Sequence, residues 1–214
     1  ASPANPLLTL RNPNPAAQDF FGQSVAVSQG RIVVGVPSAD AGATDAGRAY
    51  VYDINSVTPT QPVLTLNNPA PAAGDQFGFS VSLFGDLAAV GANTDDAGAS
   101  DAGSVYVYDL AGASPTAPAW TLANPQPAAN DQFGVAVAVD GQRVAVGAHL
   151  DDLAADGDGT AWVYDLGSAT PTTPELVLIS NNPGVNDQFG SALAASGGRV
   201  LAGAARADLV TPDK

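Results

Sequence analysis

Phe-Gly recurs at Phe21-Gly22, Phe77-Gly78, Phe133-Gly134 and Phe189-Gly190, with a step of 56 residues each time. A second glycine keeps the same step, at Gly35, Gly91, Gly147 and Gly203. A third block recurs as Ala49-Tyr50-Val51-Tyr52-Asp53, Val105-Tyr106-Val107-Tyr108-Asp109 and Ala161-Trp162-Val163-Tyr164-Asp165, without a fourth copy. Registers kept without insertion or deletion require one structural unit per period, and such periods belong to propellers, solenoids or arrays.

Each period carries four strand signals. In the second, Phe77 to Leu83 alternates large apolar residues with Gly and Ser at period two. A Gly85-Asp86 turn, an apolar run Leu87 to Val90, an acidic loop, and the alternating Val105 to Leu110 follow. A Ser-Pro-Thr-Ala-Pro loop then leads to Ala119 to Leu122. The turns Gln29-Gly30, Gly85-Asp86, Asp140-Gly141 and Gly197-Gly198 are short and contain Gly, as two-residue hairpins require. No segment sustains an apolar period of 3.6, so the chain is predicted to be all-β. Tyr106 and Tyr108 on one face, against Val105 and Val107 on the other, predict sheets buried on both sides. That favours blades stacked about an axis over a two-layer sandwich.

The strand count predicts an incomplete ring. Leu7 to Leu10 is expected as an orphan outer strand, followed by three complete four-stranded blades. The fourth unit offers only Gly190 to Ala195 and Arg199 to Ala204, with Asp208 to Thr211 as the remaining candidate for a third strand. The expectation is one domain, 1–214, with repeats at 7–62, 63–118, 119–174 and 175–214. Another chain or a missing segment would complete the ring. Free β edges pair readily, so self-association through Leu7–Leu10 and the C-terminal partial blade is expected.

Composition narrows the partners. With 21 acidic residues against 7 basic ones, the net charge is −14, which disfavours nucleic acid and anionic membrane surfaces. No apolar run is long enough to span a bilayer. The absence of Cys excludes disulfides and thiolate metal sites. With no Met even at position 1, the start at Ala1 is read as the product of processing, and the composition as that of an exported bacterial or archaeal protein.

The recurring Asp-Gln-Phe-Gly, Val-Gly-Ala and Val-Tyr-Val-Tyr-Asp elements resemble the FG-GAP repeat of integrin α-subunit β-propellers, in the variant found in secreted bacterial proteins. The resemblance covers essentially the whole chain. It implies a propeller, typically of seven blades, with the Phe-Gly strand innermost. Many members carry a calcium loop between the first and second strands. Here that connection is a tight turn, too short to surround an ion, so those residues have no counterparts.

Several side chains invite a role. Phe21, Phe77, Phe133 and Phe189 are expected to fill the core between blades, with the following glycines admitting close backbone approach. Asp19, Asp75, Asp131 and Asp187 precede the inner strand and are expected to accept backbone N–H bonds. Asn12-Pro13-Asn14-Pro15 and Asn68-Pro69-Ala70-Pro71 read as stiff spacers. The loops between second and third strands carry Asp40 and Asp45; Asp95, Asp96 and Asp101; and Asp151, Asp152, Asp156 and Asp158. They are solvated turns, or a negatively charged binding face. Asp152, Asp156 and Asp158, around Gly157 and Gly159, form the candidate Ca²⁺ site. His149, the sole histidine, has no repeated Ser, Cys or second His with which to build a triad or metal cage. Thr58-Pro59-Thr60, Ser114-Pro115-Thr116 and Thr170-Pro171-Thr172-Thr173 are Pro-stiffened turns or short O-glycosylation sites.

These features point to a non-catalytic, secreted or cell-surface module that binds a protein or glycan ligand or assembles with itself, and no cofactor is required. The alternatives are a lectin-type propeller and a carboxylate-dependent hydrolase. The loops hold few aromatic residues for a sugar platform, and no carboxylate pair departs from the repeat.

Overall fold

The computed structural model describes residues 5–207, and within them all regular structure is β-strand. The first sheet runs in chain order through β1 (Val25–Ser28), β2 (Arg31–Val36), β3 (Arg48–Asp53) and β4 (Leu64–Asn67). The second comprises β5 (Ser80–Phe84), β6 (Leu87–Ala92), β7 (Ser104–Asp109) and β8 (Trp120–Ala123). The third comprises β9 (Ala136–Asp140), β10 (Arg143–Ala148), β11 (Thr160–Asp165) and β12 (Leu176–Leu178). A hairpin of β13 (Phe189–Ser196) and β14 (Arg199–Ala204) follows. All pairings between these strands are antiparallel, and the tight turns close as Ser28↔Arg31, Phe84↔Leu87, Asp140↔Arg143 and Ser196↔Arg199.

The sheets stack face to face as blades. Val33, Val51 and Leu66 of the first share a buried cluster with Phe77, Val90, Tyr106 and Tyr108 of the second. Val105, Val107 and Leu122 of the second do the same with Phe133, Val146, Trp162 and Tyr164. A blade whose two faces bury different side chains has no dry-side/wet-side alternation, which distinguishes this propeller stacking from a sandwich. The ring is not closed by the described residues.

Two expectations need correction. Phe-Gly does not open the first strand in the complete blades; β1, β5 and β9 begin after it. Gly22, Gly78 and Gly134 take φ of 87, 93 and 93°, a left-handed backbone that cannot continue a ladder. In the fourth unit Phe189 does begin β13, and the ladder register shifts between Phe189 and Ala192.

Leu7–Leu10 is not a strand, because among the described residues no third strand lies beside it to pair. The chain there still follows the outer-strand course. Leu10 packs on the cluster of Val34, Val36 and Tyr52, and the Tyr52 hydroxyl donates to the Arg11 carbonyl at 3.3 Å. Tyr108 and Tyr164 donate in the same way to Asn67 and Ala123, the last residues of β4 and β8. Asp208 to Thr211 lies outside the described residues.

Candidate binding face

Each loop from second to third strand is closed by its own backbone and by one carboxylate. Gly47, Gly103 and Gly159 donate N–H bonds back to Ala39, Asp95 and Asp151 at 2.8–2.9 Å. Across the loop, Asp40 Oδ1 accepts from Asp45 N at 3.0 Å, Asp96 Oδ1 from Asp101 N at 2.9 Å, and Asp152 Oδ1 from Gly157 N at 2.6 Å. The donors are left-handed residues, with φ of 51, 52 and 63°. Asp, like Gly, tolerates that conformation, which explains Asp and Gly alternating at this position.

The same loops latch neighbouring blades together. Thr44, Asp45 and Ala46 accept at their carbonyls from Gly74, Gln76 and Phe77 of the next blade's incoming loop. Ser100, Asp101 and Ala102 receive Asn130, Gln132 and Phe133; Asp156, Gly157 and Asp158 receive Asn186, Gln188 and Phe189. Acidic loops and incoming loops therefore occupy one face, and its geometry is fixed by backbone bonds between blades.

The incoming loops are organised by Asp19, Asp75, Asp131 and Asp187, as the sequence suggests. Their Oδ2 atoms accept from the N–H of Ala16, Ala72, Ala128 and Gly184 at 2.6–2.7 Å. Sequence reasoning missed Asn12, Asn68 and Asn124. Each donates its amide to the aspartate at 2.7 Å and accepts from the backbone two residues on. The spacers are thus hydrogen-bonded elements, and the 56-residue recurrence of Asn before Pro was the signal for them. Burial raises the Asp75 and Asp131 carboxyls above the usual range, against the pull of these donors.

The remaining carboxylates divide into two groups. Asp95 is buried and accepts from the Tyr106 hydroxyl at 2.8 Å, while Asp151 is buried and accepts from Thr160 at 2.8 Å. Burial also raises the Asp151 carboxyl. Asp40, Asp96, Asp152 and Asp156 are exposed, and Asp45 and Asp101 are half-buried. The structure does not gather Asp152, Asp156 and Asp158 around one point. Asp152 is turned onto Gly157, Asp156 faces solvent, and Asp158 is fully buried with Oδ2 unpartnered. Among the described residues, no group of three or more His, Cys, Asp or Glu side chains is placed to hold a metal ion.

His149 is half-buried, and burial first, then Arg206, lowers its pKa, so it is neutral at physiological pH. Two arginines lie at the other end of the strands: Arg31 pairs with Asp86, and Arg143 with Glu175. Arg48, opening β3, and Arg206, beside His149, stand at the loop end, where carboxylates outnumber them.

A family model described as FG-GAP repeat matches residues 9–52, 67–108 and 121–164. No curated protein matches the chain.

Proposed function

The chain belongs to the FG-GAP repeat family, and from that premise we propose that it is a non-catalytic extracellular module that binds a basic protein surface through its acidic loop face. Such repeats form integrin-like propeller modules, typically non-catalytic, and occur in extracellular or surface proteins. No helix among the described residues is long and apolar enough to cross a membrane.

The observation that carries the proposal is the display of Asp40, Asp96 and Asp152 at one interval, with Asp156 beside the last, at solvent on loops locked to the neighbouring blade. Rigid carboxylates on one face attract a cationic partner over a Debye length and lose little entropy when they meet it. The same side chains are poor catalysts, since Asp40, Asp96 and Asp152 are engaged with backbone N–H groups. Binding requires no metal. A sugar platform finds less support: Trp162 is buried within β11, and Trp120 lies in β8.

The test replaces Asp40, Asp96 and Asp156 together by Asn, which keeps an acceptor for the loop N–H bonds while removing charge. Wild type should bind immobilised basic proteins in a salt-sensitive way, and the triple variant should lose most of that binding without a change in melting. Selective retention of neutral sugars on a glycan array, unaffected by the triple variant, would establish the lectin reading instead.

A further inference from the structure

Among the described residues β14 pairs only with β13, whereas β2, β6 and β10 each pair a third strand on the other edge. Beside that edge lies a cleft of about 540 Å³, lined by Leu178, Ile179, Phe189, Ala202 and Ala204 among others. We propose that this edge and cleft form a strand-acceptor site for an extended Tyr-Val-Tyr-Asp segment, supplied by another chain carrying this repeat.

The occupant's chemistry is drawn twice within the chain. In the second and third blades the place beside the inner Phe is filled by a third-strand tyrosine. Phe77 meets Tyr108 edge-on at 6.3 Å and 87°, and Phe133 meets Tyr164 at 6.4 Å and 83°. Each of these hydroxyls donates to the last carbonyl of the preceding outer strand, on Asn67 and Ala123. One period further on, that carbonyl belongs to Ile179, which lines the cleft.

Exposure follows the same logic. Phe77, Phe133, Leu66 and Leu122 are fully buried, while their equivalents Phe189 and Leu178 are only half-buried. Arg31 stands opposite Asp53 and Arg143 opposite Asp165 in the ladder, while their guanidiniums pair with Asp86 and Glu175. Arg199 holds that position on β14, exposed and with no carboxylate paired to it among the described residues, so an incoming Tyr-Asp would bring its carboxylate to the guanidinium. Backbone ladder bonds would supply affinity, and the tyrosine pocket and Arg199 would supply direction. The site uses none of the acidic-loop carboxylates.

The probe is a fluorescein-labelled peptide copying Ser104 to Leu110, followed by anisotropy against the intact chain. Saturable binding is expected, weakened about tenfold or more when Tyr106 and Tyr108 of the peptide are both Ser. Phe189→Leu in the protein should weaken binding without unfolding it. Arg199→Glu should weaken it too, and a peptide with Asp109→Arg should restore affinity to that variant alone. Val57→Ser, in an exposed loop of the first blade, should bind as wild type does. Absence of saturable binding, equal binding of the Ser peptide, or loss with Val57→Ser would each overturn the proposal.

Discussion

Replacing Gly91 by Ala should unlock a blade seam, whereas the same change at Gly203, in the same register, should be harmless. Gly91 lies on β6 opposite Ser80 and Val105 and does not need a positive φ, so backbone strain plays no part. An added Cβ would stand 3.1 Å from the Gly134 carbonyl carbon of the next blade, with the carbonyl oxygen and Ser80 Oγ nearer still. Ser80 Oγ donates to that same oxygen at 2.6 Å in a buried bond. The blades must therefore separate, at roughly 1–3 kcal/mol for overpacking. The buried carbonyl would lose its partner at roughly 1–3 kcal/mol more. About 3 kcal/mol lowers the melting temperature of a domain this size by about 6–12 °C. At Gly203 the nearest atoms to an added Cβ belong to Ala192, at 3.8 Å, an ordinary contact. There the lost chain entropy of Gly makes Ala neutral or stabilising by about 0.5 kcal/mol. Calorimetric melts of the two variants decide the matter. If Gly91→Ala melts with the wild type, or Gly203→Ala falls alongside it, close backbone approach is not what holds the blades.

Acid should stabilise the protein moderately. Burial raises Asp75, Asp131 and Asp151 in the fold, so folded chains hold protons that unfolded chains have released. That contribution is present below the ordinary carboxylate pKa, about 3.9, and is lost as pH rises through the raised folded values. Melts should therefore rise from pH 7 toward pH 5, and a steady fall over that interval would refute the assignment. Alkali should act the other way. Burial pushes Tyr52 up to about 12 and raises Tyr106, Tyr108 and Tyr164 as well, so stability is lost once unfolded tyrosines ionise near pH 10. Tyrosinate absorbance and far-ultraviolet dichroism should change together, and tyrosinate appearing well before unfolding would contradict the buried hydroxyls. Ca²⁺ at millimolar concentration should shift the melt no more than Mg²⁺ does, since no described carboxylates are gathered for it; a Ca²⁺-specific rise abolished by Asp156→Asn would restore the candidate site.

Most of the fold was legible because an exact period makes each strand signal count several times. Gly85-Asp86 as a turn, or Val105 to Leu110 as a strand, would be weak inferences alone; in register they match β5–β8 closely. The misplacement of Phe-Gly came from treating alternation as sufficient. Phe77, Phe79 and Val81 alternate as a strand would, yet the left-handed Gly78 takes the chain out of the ladder, and no apolar pattern encodes a φ. Leu7–Leu10 failed for another reason: its composition is that of an outer strand, but a strand exists only beside a partner.

The candidate site was less legible because an aspartate looks the same whether it faces a ligand or caps a loop. Recurrence marks the capping role, and exposure decides which of the caps also face a partner. Asp40, Asp96 and Asp152 recur, and all three cap; Asp75 and Asp131 recur, and both hold incoming loops. A side chain demanded by the blade must appear in every blade, so what belongs to this chain alone lies where the period breaks. Asp158 is such a break, standing where Ala46 and Ala102 occupy the equivalent position, fully buried with Oδ2 unpartnered and Oδ1 only 3.4 Å from Ala154 N. A buried oxygen without a donor costs roughly 1–3 kcal/mol, whereas Ala at this position already fits two blades. Asp158→Ala should therefore raise stability by about 1–2 kcal/mol in urea unfolding. If the variant is instead less stable, the carboxylate has a partner that the protein chain does not supply, and the third loop becomes the place to look for it.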